Sequence, residues 1–319
     1  MVLLAVAGYL VVQYVTGGTG APGCKVVSGK GDGATYEFTP EQAVNAATIT
    51  AVGTARGLPE RAVTIALATA LQESALRNIR HGDRDSLGLF QQRPSQGWGT
   101  PKQIMDPAYA AGKFYDHLAE VPGYTRLPLT VAAQRVQRSG FPQAYAKHEP
   151  DATLLAAALT GRSAATLTCE GRPDATRAEG AGSVRAALVR DFGRDVLQPA
   201  GTRVDGAASP APSPSASGAD GSDGSDGRTV TLPVTADSAA AGRSAGQRGW
   251  QLAHWAVANA SALHIKRVTY AGREWTAGNT DSRWRPVDGD TEETVGAVGT
   301  SGASGAEWSA GAVRIVTGP

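Results

Sequence analysis

Apolar positions recur at helical spacing over most of residues 40–160 and lose all period around residues 199–228. Thr39-Pro40-Glu41-Gln42 has the form of a capping box, with Thr39 at the N-cap, Pro40 in the first turn and Gln42 placed to reach back. Val44, Ala47, Ala51 and Ala55 follow three and four apart, which predicts a helix over 40–56, ended by Gly57. Leu58-Pro59-Glu60 opens a second helix, with Val63, Leu67, Ala70 and Leu71 on its buried side and an end near Arg77-Asn78. Asp106-Pro107 caps a third, whose stripe is Ala108, Ala111, Tyr115 and Leu118 and whose stop is Pro122-Gly123. Short helices are expected over 129–138, 142–148 and 150–159, the last closed by Gly161, with one more over 182–197. Residues 24–35 read as a loop. Residues 79–105 have no period and are long for a loop, which marks them as functional.

From Pro199 to Arg228 the chain is mostly Pro, Ser, Ala, Gly and Asp, a composition that cannot bury a core and predicts a disordered linker. Beyond it, residues 247–263 are helical, with Leu252, Trp255, Ala256, Asn259 and Leu263 on one face. Ile265–Tyr270, Arg273–Ala277 and Ala312–Val316 read as strands. The expected organisation is therefore a signal or membrane anchor at 1–22, a helical domain at 36–170, the linker at 199–228 and a small α+β accessory domain at 229–319.

Composition narrows the function. The net charge is +1, without the basic excess of a nucleic-acid binder, so no nucleic-acid partner is expected. Met1 to Val15 is almost wholly apolar, with Gln13 its one strongly polar side chain, and fits a signal-peptide core or a short anchor in the cytoplasmic membrane. One such segment cannot make a polytopic transporter. An exported chain with two cysteines invites a disulfide, here between Cys24 and Cys169, at the two ends of the helical domain. The rival use of Cys24 is lipid attachment, which Pro22 obstructs.

The chemistry concentrates in Leu71-Gln72-Glu73-Ser74 and Ser86-Leu87-Gly88-Leu89-Phe90-Gln91-Gln92-Arg93-Pro94. Glu73 falls in the last turn of the second helix, where the helix dipole disfavours an anion and apolar neighbours such as Leu71, Leu76 and Phe90 desolvate it. Both effects keep a carboxyl protonated towards neutral pH, as a general acid for glycosidic cleavage requires. The competing reading is a solvated helix-end residue. Asp83 and Asp85, in His81-Gly82-Asp83-Arg84-Asp85, are candidates for a base that activates water, or form a polar turn with a local ion pair. Trp98, in Gln96-Gly97-Trp98-Gly99, either stacks on a sugar or is half-buried core.

The Glu-Ser pair at a helix end, followed fifteen residues on by Gly-Leu-Phe-Gln, resembles the Glu-Ser and Gly-Leu-Met-Gln motifs of soluble lytic transglycosylases and goose-type lysozymes. The resemblance covers about residues 38–160 and extends to the helix from Asp106 to Leu118. It implies a lysozyme-like all-α N-terminal domain, Glu73 as catalytic acid/base, and a sugar cleft lined by Ser74, Gly88, Phe90, Gln91 and Gln92. Peptidoglycan glycan strands are the implied substrate, with no cofactor and no metal. Phe90 stands where the family has Met. The family's sugar-contacting Ala-Tyr-Asn should fall near Ala133 to Arg138, where Gln134-Arg135-Val136-Gln137-Arg138 stands instead, and Tyr145 is the candidate substitute. Those departures keep open a second reading, a membrane-anchored wall-binding protein without turnover. The C-terminal segment is similar to a degenerate zinc-peptidase-like accessory domain of actinobacterial secreted proteins. Its closing strand lacks His, so His254 and His264 are read as structural, and Trp250, Trp255, Trp275 and Trp284 as either core or a glycan-facing surface.

Overall fold

A computed structural model describes residues 23–140, 143–172, 180–197, 227–234, 243–278, 283–287 and 311–318. The expected membrane segment at 1–22 and all of the expected linker except Gly227 and Arg228 lie outside these residues.

The Thr39 capping box forms. The Thr39 hydroxyl accepts from the Gln42 amide at 3.3 Å, and the Gln42 side chain accepts from the Thr39 N–H at 2.7 Å. It starts α1 (Pro40–Ala55), in which every residue from Asn45 to Thr54 is buried. A helix buried all round must sit at the centre of a bundle. Around α1 pack α2 (Glu60–Ser74), α4 (Pro107–Ala119) and α6 (Glu149–Leu159). Tyr115 of α4 donates its hydroxyl to the Ile49 carbonyl of α1 at 3.0 Å. The loop ahead of α4 holds a four-residue helix, α3 (Pro101–Ile104), with its own capping box from Thr100 and Gln103. It falls within 79–105, where no helix is expected, because one turn is too short to show a period. After α4 comes α5 (Leu129–Gln137); of the short helix expected at 142–148, a 3₁₀ turn over Ala146–His148 forms, and Phe141 and Pro142 lie outside the described residues.

The all-α reading of the N-terminal region is overturned. Strand β1 (Cys24–Val27) pairs antiparallel with β2 (Thr35–Phe38) on one side and β3 (Leu167–Cys169) on the other. This three-stranded sheet packs on α6. Its strands are three or four residues long, too short for an alternating pattern to stand out, and β3 pairs with a segment about 140 residues away in the chain, beyond any local signal. The Cys24–Cys169 disulfide joins β1 to β3 directly. Among the described residues the whole chain has eight helices and eight strands in two sheets, a mixed α/β architecture.

The second sheet has the order β4-β8-β5-β6-β7, antiparallel throughout, with β4 at Thr229–Pro233, β5 at Ile265–Tyr270, β6 at Arg273–Thr276, β7 at Arg285–Pro286 and β8 at Ala312–Thr317. Helix α7 (Ala181–Phe192) packs on α1 and β4. Helix α8 (Ala245–Ala258) is buried without a break from Gly249 to Ala258. One side lies on the sheet at β5 and β8, and the other lies on α1, α6 and β3. The C-terminal segment is thus docked on the N-terminal helices. Trp255 donates its indole N–H to Asp191 of α7 at 2.8 Å. Trp275 and Trp284 donate theirs to the carbonyls of Cys169 and Leu167, at 3.0 and 2.9 Å. Those carbonyls belong to the edge strand β3, so the indoles occupy the side that no strand covers. Gly161 ends α6 at φ +78°, where a Cβ would drive into the backbone of Gln247 at the start of α8.

These contacts decide the tryptophan question. Trp250, Trp255, Trp275 and Trp284 are all buried, so a glycan-facing surface made of them is ruled out. His254 is fully buried; its ring lies beside Trp250 and Trp284, and Nδ1 is 2.8 Å from the Ala158 carbonyl. Burial holds its pKa down at about 4, so the ring is neutral.

Candidate functional site

Glu73 is presented by an abrupt helix stop. Helix α2 ends at Ser74, and the next two residues, Ala75 and Leu76, are both left-handed at φ 51° and 58°. Such conformations cost side-chain-bearing residues on the order of 1 kcal/mol each. Helix α1 braces them: Gln42 donates to the Ala75 carbonyl and Asn45 to the Leu76 carbonyl, both at 2.8 Å. The stop comes a few residues before the expected end near Arg77-Asn78, and it leaves Glu73 in the final turn.

Ser74 fixes the second motif to the first. Its hydroxyl donates to the Leu89 carbonyl at 2.8 Å. The segment Leu87–Gln92 is a closed loop, with Leu87 and Gln92 exchanging backbone hydrogen bonds at 3.0 Å. Gly88 stands in it at φ +75°, where a Cβ would lie 2.8 Å from the Ile104 carbonyl. Phe90 is fully buried and stacks on Phe114 of α4 at 4.7 Å. Gln92 is buried and donates to the Ala110 carbonyl at 3.0 Å. Ser74, Gly88, Phe90 and Gln92 thus hold and shape the loop and stand outside the wall of the large cleft. Gln91 does face the cleft.

That cleft has a volume of about 990 Å³ and is walled by Glu73, by Asp83 and Gln91 from the loop, by Trp98, and by residues 135–140 at the end of α5. Glu73 is half-buried, and burial raises its pKa above the ordinary carboxylate value, against hydrogen bonds from Tyr145 and Gln137 that lower it. Tyr145 is fully buried and donates its hydroxyl to Glu73 Oε1 at 2.7 Å. Gln137 also donates to the Phe90 carbonyl at 2.7 Å, linking α5 to the loop. Trp98 is half-buried, packed edge-on against His117 at 4.5 Å.

The two aspartates separate. Asp85 accepts from Arg93 Nε at 2.7 Å and from the Ser95 amide at 2.8 Å, and these bonds hold its carboxyl well below the usual range. It is absent from the cleft wall and acts as a clamp on the loop. Asp83 lies on the wall with its side chain exposed, 4.0 Å from Arg84.

Comparison with known proteins adds one finding. Residues 189–297 match the family described as VldE, C-terminal domain. No curated protein matches the chain. The match covers roughly a third of the chain, begins inside α7, takes in α8 and β4 to β7, and contains none of the residues that wall the cleft.

Among the wall residues that the sequence did not single out are Arg135, Gln137 and Arg138, which stand where the expected Ala-Tyr-Asn is missing. Their signal was the burial stripe of α5, Leu129, Ala132, Ala133 and Val136, which leaves Arg135 and Arg138 exposed three residues apart. Among the described residues, no cluster of His, Cys, Asp and Glu could hold a metal ion, and no helix is long and apolar enough to cross a membrane.

Proposed function

We propose that this cleft cleaves the glycan strands of peptidoglycan, with Glu73 as general acid. The observation that carries the reading is a half-buried carboxyl with a raised pKa, facing a cleft of about 990 Å³ and steered from behind by a buried tyrosine. Such a group holds its proton at a pH where an exposed glutamate has lost it. It can protonate the leaving oxygen of a sugar seated against Trp98 and Gln91. The resemblance of Glu73-Ser74 and Gly88 to Gln91 to transglycosylase motifs supplies the substrate class.

The second carboxylate decides the fate of the sugar once the bond is cut. Asp85 is held by Arg93 and Ser95 and stands outside the cleft wall, so it is not placed to take a proton from water there. That favours closure by the substrate itself: the N-acetyl oxygen assists at the anomeric carbon. The 6-hydroxyl then attacks, giving up its proton to the ionised Glu73 as the 1,6-anhydro ring forms. Asp83 remains the one candidate that would divert the reaction to water. The protein would work outside the cytoplasmic membrane, tethered through residues 1–22, and the disulfide suits an oxidising compartment.

The test is incubation of the full-length protein with purified peptidoglycan and mass spectrometry of the products. Anhydro-muropeptides that vanish with Glu73→Gln are the expected result. A reducing-end product that vanishes with Asp83→Asn assigns hydrolysis instead. The second reading, wall binding without turnover, rests on Gln134 to Arg138 standing in place of Ala-Tyr-Asn. It is established if wild type and Glu73→Gln sediment equally with the wall and neither releases product.

A further inference from the structure

We propose that Arg135 and Arg138 are specificity-determining residues that select glycan strands carrying peptide stems with free carboxylates; this rests on the cleft being the glycan site proposed above. Where a peptide stem caps the lactyl group as an amide, the sugar backbone of the strand is neutral and gives a guanidinium nothing to pair with. The cleft wall nonetheless carries Arg84, Arg93, Arg135 and Arg138. Arg93 is held by Asp85 at 2.7 Å, and Arg84 has a long, exposed contact of 4.0 Å with the neighbouring Asp83. The remaining wall carboxylates are Glu73, which is hydrogen-bonded by Tyr145, and Glu120, which lies 3.6 Å from His117. Arg135 and Arg138 have no carboxylate partner among the described residues. Both are exposed; Arg135 stands in the last turn of α5, and Arg138 follows as its left-handed C-cap at φ 52°, so both lie at the end of the helix that walls the cleft.

Their placement relative to the acid is short-range. Gln137 and Val136, the residues between them, share the same wall, and Gln137 hydrogen-bonds Glu73. A sugar positioned for protonation by Glu73 therefore has its substituents within reach of the two guanidinium groups. Guanidinium binds carboxylate in a fork of two parallel hydrogen bonds, which gives geometry as well as charge. The other side of Glu73 is similar in sign: a smaller hollow of about 300 Å³ shares Glu73 and is lined by Arg77 and Lys147. A strand lying across Glu73 meets cations on both sides.

The experiment measures binding apart from turnover. Full-length Glu73→Gln protein in detergent is titrated with soluble stem-bearing peptidoglycan strands and with the same strands after their stem carboxylates have been coupled to methylamine through a carbodiimide. Binding should favour the strands with free stem carboxylates by roughly tenfold at low salt, and the preference should shrink in high salt, as for a solvent-accessible ion pair. Adding Arg135→Gln and Arg138→Gln together should bring the ratio to about one, while Arg135→Lys with Arg138→Lys should keep part of it. An equal affinity for both strands in the Glu73→Gln parent, or a ratio untouched by the double Gln change, overturns the proposal. Product release by the wild-type protein is scored in parallel. Turnover with no carboxylate preference sinks the arginine assignment alone. A carboxylate preference without turnover sinks the cleavage reading and leaves the arginines as a wall-binding element.

Discussion

Two parts of the molecule each bury a titratable group, and they use it in opposite ways. In the cleft, Glu73 is half-buried with its pKa raised, touched by Tyr145 and open to a large volume. At the junction of α8 with the N-terminal helices, His254 is fully buried with its pKa held at about 4, beside Trp250 and Trp284 and tied to the Ala158 carbonyl. In both, burial disfavours the charged form. The difference is the space in front of the group. Glu73 has room for a substrate to receive its proton; His254 has only packed rings. A perturbed pKa points to chemistry where a cleft accompanies it, and to packing where none does.

The strongest test of that contrast acts on the junction. Cys24→Ser with Cys169→Ser removes a cross-link spanning 145 residues, for which chain entropy gives about 5 kcal/mol. β3, which accepts from Trp275 and Trp284, loses its covalent tether, so the midpoint of thermal unfolding followed by tryptophan fluorescence should drop steeply. An unchanged midpoint would show that the indoles alone hold the strand.

Next is the cleft. Glu73→Gln should lower product formation by about 10²–10⁴-fold, the usual contribution of a general acid, with circular dichroism unchanged. In the wild type, turnover should fall as pH rises through the raised pKa of Glu73, because the acid form is the active one. Stability follows the same sign: the folded state keeps a proton that the unfolded chain has released, so stability declines between the ordinary glutamate pKa and the raised one. Glu73→Gln should flatten that decline and melt at a higher temperature at alkaline pH.

His254 has the opposite slope. Its pKa is depressed, so on acidification from pH 6.5 to about 4 the unfolded chain takes up a proton that the folded chain refuses. Stability should fall across that window by roughly 3 kcal/mol and no further below it. Denaturant titrations of wild type and His254→Gln at pH 7 and pH 4 would show the slope and its loss. An equal slope in both would assign the acid sensitivity elsewhere.

The smallest effects concern the aspartates. Asp85→Asn releases Arg93 and should raise KM by loosening the loop. Asp83→Asn should leave the yield of anhydro product nearly intact, and a large loss would restore a water-activating base.

How much the sequence disclosed depends on the range of the forces involved. The Thr39 box, the Asp106 cap and the closing Gly161 are local signals, and each bounds a helix in the structure. The Glu73 turn was legible in part: Leu71 and Leu76 are close to it in sequence, but the expected end near Arg77-Asn78 overran the stop at Ser74, and Phe90 comes from the following loop. The sheet of β1, β2 and β3 was not: β1 and β2 are local but too short to show an alternating pattern, and the register of β3 lies between Cys24 and Cys169, which no short window contains. The burial of both sides of α8 was hidden for the same reason: Leu252 and Trp255 mark one face, and only the docked α1 and α6 explain the other. Within the site, Tyr145 was reachable as a candidate, but its bond to Glu73 spans 72 residues and needed the fold.

Strand β3 also constrains the order in which the chain can become itself. Synthesis delivers Cys24 first and Cys169 last of the pair, with 145 residues between them. Through all of that interval the helices around α1 are available to assemble, while the Cys24 thiol waits without its partner. Trp275 and Trp284 arrive about a hundred residues later still and close over a strand already in place. A chain truncated anywhere before Trp275 would lack both indoles and leave the carbonyl edge of β3 open to another molecule's strand.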